Sequence, residues 1–151
     1  MSRAGVGRTR SFGGQTVLEL ALMLPLMLLL LVGLIEIGRF AYFDILVSNA
    51  ARAGAQYGAQ SLIQAADKTG IETAAQSDGR NTMTITPAQM CGCTAATLAI
   101  CPPGGGGGGG CGRPLVYVQV TATETYSSLF NYPGIPTSMT LTSTSTMRVS
   151  Q

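Results

Sequence analysis

An uninterrupted apolar run lies near the start of the chain. Between Glu19 and Glu36 no residue is charged, and nearly all positions of 20–35 are Leu, Met, Val, Ile or Ala. As a helix this run covers about 24 Å, whereas a bilayer core of roughly 30 Å needs about twenty apolar residues. The span must therefore include flanking residues, and the pattern predicts a single membrane-spanning helix over residues 15–43. Pro25, inside this span, should kink or loosen the helix locally.

A helical pattern rich in Ala and Gly continues beyond the span, and we expect residues 44–80 to be a helical region as well. Four residues at helical spacing form a stripe that should lie on a sheet: Leu46, Ala50, Ala53 and Tyr57. Gly54 and Gly58 form a Gly-x-x-x-Gly step, which is a weak signal outside a membrane. The first helix is predicted over residues 15–64 and a second, short helix over 67–77.

Beyond residue 80 the period of the apolar positions changes from helical to two. Apolar residues alternate with polar ones, mostly Thr, at 82–86, 116–123 and 139–149. Three half-polar runs separated by turn-rich stretches predict an antiparallel three-stranded sheet within a small domain over 81–151. The expected fold class is α+β, with a long N-terminal membrane-spanning helix that continues into a soluble helix packed on this sheet.

The composition excludes most catalytic chemistry. The chain has no His, so imidazole acid–base catalysis, Ser-His and Cys-His arrangements and His-rich metal sites are ruled out. We therefore expect neither enzymatic activity nor a cofactor.

The positive charge is concentrated at the N-terminus. Nine basic and seven acidic residues give a net charge of +2, but Arg3, Arg8 and Arg10 precede the first acidic residue, which leaves six basic against seven acidic residues from Gln15 onward. This distribution argues against nucleic-acid binding and favours a topology signal. By the positive-inside rule we expect the N-terminus in the cytoplasm and everything after about residue 43 outside it.

A cleaved secretory signal peptide also begins with a basic segment and an apolar core. Its cleavage site, marked by small residues, should follow the core closely. Here Ile35 is followed by Glu-Ile-Gly-Arg-Phe, and the nearest Ala-x-Ala patterns start only at Ala51 and Ala53. The core is also longer than the usual apolar region of a signal peptide, so a retained spanning helix is the favoured interpretation.

The residues around the start of the span form a recognisable motif. Residues 8–19 read Arg-Thr-Arg-Ser-Phe-Gly-Gly-Gln-Thr-Val-Leu-Glu, a basic leader that ends in Gly14, with Glu19 five residues later. This segment resembles the processing signal of type IV pilin-like proteins, in which a prepilin peptidase cuts after the Gly. Together with the apolar helix and Asn-Ala-Ala-Arg-Ala-Gly-Ala-Gln-Tyr-Gly-Ala at 49–59, it resembles the N-terminal signature of TadE-like pseudopilins of the tight-adherence (Tad/Flp) pilus system. Flp pilins carry Tyr directly after the Glu, and Leu20 at that position fits a pseudopilin better.

The resemblance implies a role for each residue of the motif. Cleavage after Gly14 removes the leader 1–14 and makes Gln15 the new N-terminus. The α-amine of Gln15 in one subunit would then pair with Glu19 of a neighbour, which relieves the cost of a carboxylate at the edge of the membrane. At the outer end of the span, Glu36 and Arg39 are three residues apart and are expected to pair at the membrane interface.

The resemblance also implies partners and a location. It implies a pilin-like structural protein that supports assembly of Flp-type adhesive pili, in contact with the prepilin peptidase, the major Flp pilin, other pseudopilins and the inner-membrane assembly platform. The protein would cross the inner (cytoplasmic) membrane once, with its C-terminal domain extracytoplasmic, and would either stay in the membrane or enter the pilus itself.

Four cysteines lie in a Cys/Gly-rich loop at 91–113: Cys91, Cys93, Cys101 and Cys111. Outside the cytoplasm four cysteines suggest two disulfides. A bond within Cys91-Gly-Cys93 would be cramped, so the two connectivities that join each of these residues to Cys101 or Cys111 stay open. The spacing lacks the paired Cys-x-x-Cys of structural zinc sites, and we expect no metal.

Two other functions fit parts of the same pattern. One is a membrane-anchored envelope protein whose Cys91 and Cys93 cluster carries out disulfide, redox or metal chemistry. The other is a pseudopilin-like component of a secretion apparatus, which would share the membrane signature without building a pilus.

Overall fold

The computed structural model describes residues 13–94, 97–101, 115–130 and 136–150. Its helices are α1 (Gly13–Ala59), α2 (Leu62–Ala66) and α3 (Lys68–Asp78), and its strands are β1 (Thr84–Gly92), β2 (Ala99–Ile100), β3 (Leu115–Ser127) and β4 (Ser138–Arg148). The chain divides into two compact units, Met1–Gly38 and Arg39–Gln151. A long apolar helix followed by a small antiparallel sheet confirms the predicted α+β class.

In the first unit the described residues belong to α1. The large apolar side chains between Val17 and Ile37 are mostly more than half exposed. Pro25 lies inside the helix and does not end it.

The sheet of the second unit has the strand order β2-β1-β3-β4, and each neighbouring pair is antiparallel. The three predicted strands are confirmed, but the prediction missed β2. With only two residues, β2 is too short to show a period.

The prediction also ended the first strand at Thr86, whereas β1 continues through Pro87 to Gly92. Among the described residues, β2 pairs with β1 only at Met90 and Cys91. Within this part of the chain, β1 is therefore an edge beside Pro87, where the missing N–H of proline is tolerated.

The core lies between the sheet and the second half of α1. The fully buried α1 residues are small: Val47, Ala50, Ala51 and Ala55. A Cβ built on Gly58 lies 2.9 Å from Val118 Cγ1, and one built on Gly54 lies 3.1 Å from Val120 Cγ1. The Gly-x-x-x-Gly step therefore brings the helix backbone close to β3 within one chain.

The predicted stripe on this helix is rotated relative to the observed contact face. Of its four residues only Ala50 is buried, while Leu46, Ala53 and Tyr57 are half-buried at the sides. The reason is steric, because close approach of helix and sheet selects the smallest side chains for the centre of the contact. The larger Leu46 and Tyr57 pack at its margin.

The helix ends earlier than predicted, at Ala59 instead of near Gln64. Ser61 is extended (φ −157°, ψ 163°), and its hydroxyl accepts a hydrogen bond from the backbone N–H of Gln64, which caps α2. The Ser-x-x-Gln spacing is a capping signal visible in the sequence. The second predicted helix is confirmed as α3, capped by Asp67.

Candidate functional site

The first candidate site is the apolar part of α1. The helix is long and apolar enough to cross a membrane, and its most apolar window is not buried by the rest of the described chain. One face carries a groove with an almost wholly apolar lining, contributed chiefly by Leu20, Leu24, Met27, Leu28, Leu31 and Leu34. This part of α1 is a candidate membrane span and offers an extended surface to lipid or to another helix.

The motif at the start of the helix lies in its first two turns. Gly14 is exposed, and a Cβ built on it meets nothing within 4 Å. Gln15 is helical, and the exposed Glu19 follows it by four residues, which places the two positions on the same side of the helix about 6 Å apart along its axis. The leader residues 1–12 lie outside the described residues. Cleavage at Gly14 and pairing between subunits stay predictions.

Glu36 and Arg39 follow in the same helix at the predicted three-residue spacing. The Arg39 guanidinium carbon lies 5.5 Å from the centroid of the Tyr126 ring, which makes a cation–π contact with β3. The predicted pairing of Glu36 with Arg39 stays a prediction.

An aromatic cluster that the sequence did not predict lies beside Arg39. The Tyr126 ring meets Phe40 and Phe43 of α1 edge to face, with centroids 5.6 and 5.5 Å apart. Arg80 lies over the Phe43 ring, with its guanidinium carbon 5.0 Å from the ring centroid. The available signal was the run of aromatic residues directly after the apolar stretch, a placement typical of membrane interfaces.

A second unpredicted contact joins α1 to the start of α3. The hydroxyl of Tyr57 donates to Asp67 Oδ2 over 3.1 Å, and Asp67 Oδ1 accepts from the backbone N–H of Gly70 over 3.0 Å. The hydrogen bond to Asp67, with lesser contributions from desolvation and from the negative charge of Asp67, raises the pKa of Tyr57 above its ordinary value of 10.0.

The cysteine region contains a disulfide between Cys91, at the end of β1, and Cys101, directly after β2, with Cα atoms 5.0 Å apart. Cys93 is disulfide-bonded as well, and Cys111 lies outside the described residues. The observed bond Cys91–Cys101 belongs to one of the two connectivities that the sequence left open, and the partner of Cys93 stays a prediction. The prediction placed Cys91 in a loop, whereas it is a buried residue of β1.

The disulfide determines whether Cys91 and Cys101 can act as metal ligands. A bonded sulfur is not a thiolate, so Cys91 and Cys101 in this state do not provide the ligands that zinc requires. In the part of the chain that the structure describes, no group of three or more His, Cys, Asp or Glu residues could hold a metal ion.

One acidic residue on the core face of β3 was also not predicted from the sequence. Glu124 is buried, and the hydroxyl of Thr82 donates to its Oε1 over 3.0 Å. This hydrogen bond satisfies a polar group that would otherwise destabilise the core. Glu124 therefore has a structural explanation.

The part of the chain that matches a known protein family is α1. Residues 14–56 match the TadE family, described as TadE-like protein, over less than a third of the 151 residues. The match begins at Gly14, the residue after which cleavage is predicted. No curated protein and no solved structure gives a significant match. The N-terminal segment of this chain is therefore similar to TadE-like proteins.

Proposed function

We propose that this protein is a TadE-like pseudopilin, a structural and non-enzymatic membrane protein that supports assembly of Flp-type adhesive pili. The observation that carries the proposal is the family match over residues 14–56, which begins at the predicted cleavage site and coincides with an exposed apolar helix. The function then lies in packing and charge pairing.

Processing prepares the helix for assembly in this proposal. A prepilin peptidase cuts after Gly14, which creates a positively charged α-amine on Gln15. In the membrane this amine pairs with Glu19 of a neighbouring subunit, because an unpaired charge is costly there. The apolar groove of α1 gives neighbouring helices a surface on which to pack.

The proposed partners follow from this role. They are the prepilin peptidase, the major Flp pilin, other pseudopilins and the assembly platform of the inner membrane. We place the N-terminus in the cytoplasm and the sheet outside, as the distribution of basic residues favours.

The variant Glu19→Ala tests the charge pairing. It leaves the amine of the neighbouring subunit without its partner, and breaking a buried pair on one side costs about 3–5 kcal/mol. We expect surface pili to be lost while the sheet domain keeps its protease resistance and its disulfides. Electron microscopy and quantification of sheared pili measure the first, and limited proteolysis of the membrane fraction measures the second.

The matched control is Glu72→Ala, which removes a carboxylate from α3 in the second unit. This variant should leave pili at the level of the unmodified protein. Normal pilus production with Glu19→Ala would contradict the role assigned to Glu19.

A further inference from the structure

The contacts within the second unit fix the direction of β3 along α1. Val118 lies against Gly58 and Val120 against Gly54, whereas Tyr126 meets Phe40 and Phe43. β3 therefore runs antiparallel to this part of α1. The loop that follows β3 therefore leaves the sheet at the end where α1 enters this unit.

That end of α1 adjoins the candidate span in sequence. Phe40 follows Ile35, the last residue of the apolar run, by five residues, or about 8 Å of helix. Tyr42, beside it, is 60% exposed. Aromatic residues at the end of a spanning helix are typical of the lipid headgroup level, and Phe40, five residues after the apolar run, contacts Tyr126.

The loop from β3 to β4 exposes apolar side chains here. Leu129 is 60% exposed and Phe130 is 49% exposed. Their backbone is held in place, because the hydroxyl of Ser128 donates to the Phe130 carbonyl over 3.1 Å and the N–H of Ser128 donates to the Thr137 carbonyl over 2.9 Å. These hydrogen bonds link the backbone of residues 128–130 to Thr137.

Positive charge lies at the same end of the unit. Arg39 stacks over Tyr126 and Arg80 over Phe43. Apolar side chains beside arginines are the combination that binds the boundary between acyl chains and phosphate headgroups.

We propose that residues 128–130, directly after β3, contact the bilayer surface, with Leu129 and Phe130 inserted at the boundary between headgroups and acyl chains and Arg39 and Arg80 close to the phosphates. The occupant of this surface is lipid, argued from its continuity with the span. The proposal rests on α1 crossing the membrane and is independent of any role in pilus assembly. The loop is then a second membrane contact of the sheet domain.

The absence of Trp from the chain makes a direct test possible. The full chain carrying Phe130→Trp is reconstituted in phosphatidylcholine vesicles, with and without bromine near the headgroup end of the acyl chains, and fluorescence quenching is measured. The matched control is Ile100→Trp, another exposed apolar position. Ile100 pairs with Met90, which pairs with Tyr117, ten residues or about 33 Å along β3 from Ser127.

We expect bromine to quench Phe130→Trp several-fold more strongly than Ile100→Trp, with a blue-shifted emission only in the former. In vesicles with bromine near the methyl end of the acyl chains, Leu28→Trp, at the middle of the span, is quenched if α1 is inserted. Quenching of Leu28→Trp without quenching of Phe130→Trp would overturn the loop proposal while leaving the span intact. A blue shift of Phe130→Trp that is insensitive to bromine would assign the surface to a second copy of the chain and would also overturn it. Leu129→Trp repeats the test if Phe130→Trp does not fold.

Discussion

At the residue scale, Asp67 connects three helices. One carboxylate oxygen accepts from Tyr57 of α1, and the other caps α3 directly after α2 ends. Gly70 lies opposite this carboxylate, and a Cβ there would lie 2.5 Å from the Tyr57 hydroxyl oxygen, so a larger residue would displace the Tyr57 and Asp67 side chains. The roles of Tyr57, Asp67 and Gly70 could not be predicted from the sequence, because they depend on a contact between residues ten positions apart.

The variant Asp67→Asn tests this contact through pH. The hydrogen bond to a charged carboxylate holds the pKa of Tyr57 above 10.0. A phenol whose pKa is raised by folding stabilises the folded state at pH values below its unfolded pKa, and this stabilisation is lost as the pH rises through the folded pKa. Because Asn caps helices as well as Asp does, we expect Asp67→Asn to lower the pKa of Tyr57 toward 10.0 while α3 stays intact.

Ultraviolet titration of tyrosinate absorbance measures this shift, and Tyr57→Phe identifies which of the five tyrosines is responsible. Asp78→Asn, an exposed carboxylate at the end of α3, is the control and should change nothing. An unchanged titration curve with Asp67→Asn would refute the assigned cause of the raised pKa.

At the element scale, the predictions that succeeded rest on local periodicity. The apolar run and the alternation of Thr with Val or Leu predict α1, β3 and β4 without any knowledge of the partners. The predictions were wrong where a contact between residues distant in sequence determines the structure. β2 exists only as a two-residue partner of Met90 and Cys91, and the contact face of α1 follows from how closely its backbone approaches β3. The capping of α2 by Ser61 could have been predicted from the local Ser-x-x-Gln spacing, but it was not.

The disulfide between Cys91 and Cys101 joins β1 to β2, and its removal tests what it contributes to the sheet. It closes a loop with a sequence separation of 10, and the loop-entropy relation gives a stabilisation of about 2–3 kcal/mol for a loop of this size. We expect the double variant Cys91→Ser/Cys101→Ser to unfold at a lower urea concentration in micelles, followed by tyrosine fluorescence. Membrane insertion should be unaffected.

Adding reductant to this double variant reports separately on the disulfide at Cys93. An unchanged unfolding midpoint would mean that the bridge between Cys91 and Cys101 does not stabilise the sheet. Loss of function in Cys91→Ser with normal folding and membrane insertion would instead favour redox chemistry at this cysteine.

At the scale of the whole molecule, the two units differ in how much the sequence discloses. The helix carries a composition and a motif that match the TadE family over residues 14–56. The arrangement of the rest of the chain depends on pairings between distant residues, such as Pro87 with Val120 and Thr123 with Thr142. The candidate membrane span and the similarity to the TadE family were therefore predictable, whereas the aromatic cluster and the exposed residues after β3 required the structure.

The N-terminal residue of the mature protein tests the central proposal most directly. Mass spectrometry of the membrane fraction, from cells with and without the prepilin peptidase, determines it. The proposed function predicts a start at Gln15 that disappears when the peptidase is absent. A start at Met1 or Ser2 in both strains would contradict processing after Gly14, and a start beyond Ala51 would identify a secretory signal peptide instead of a retained span.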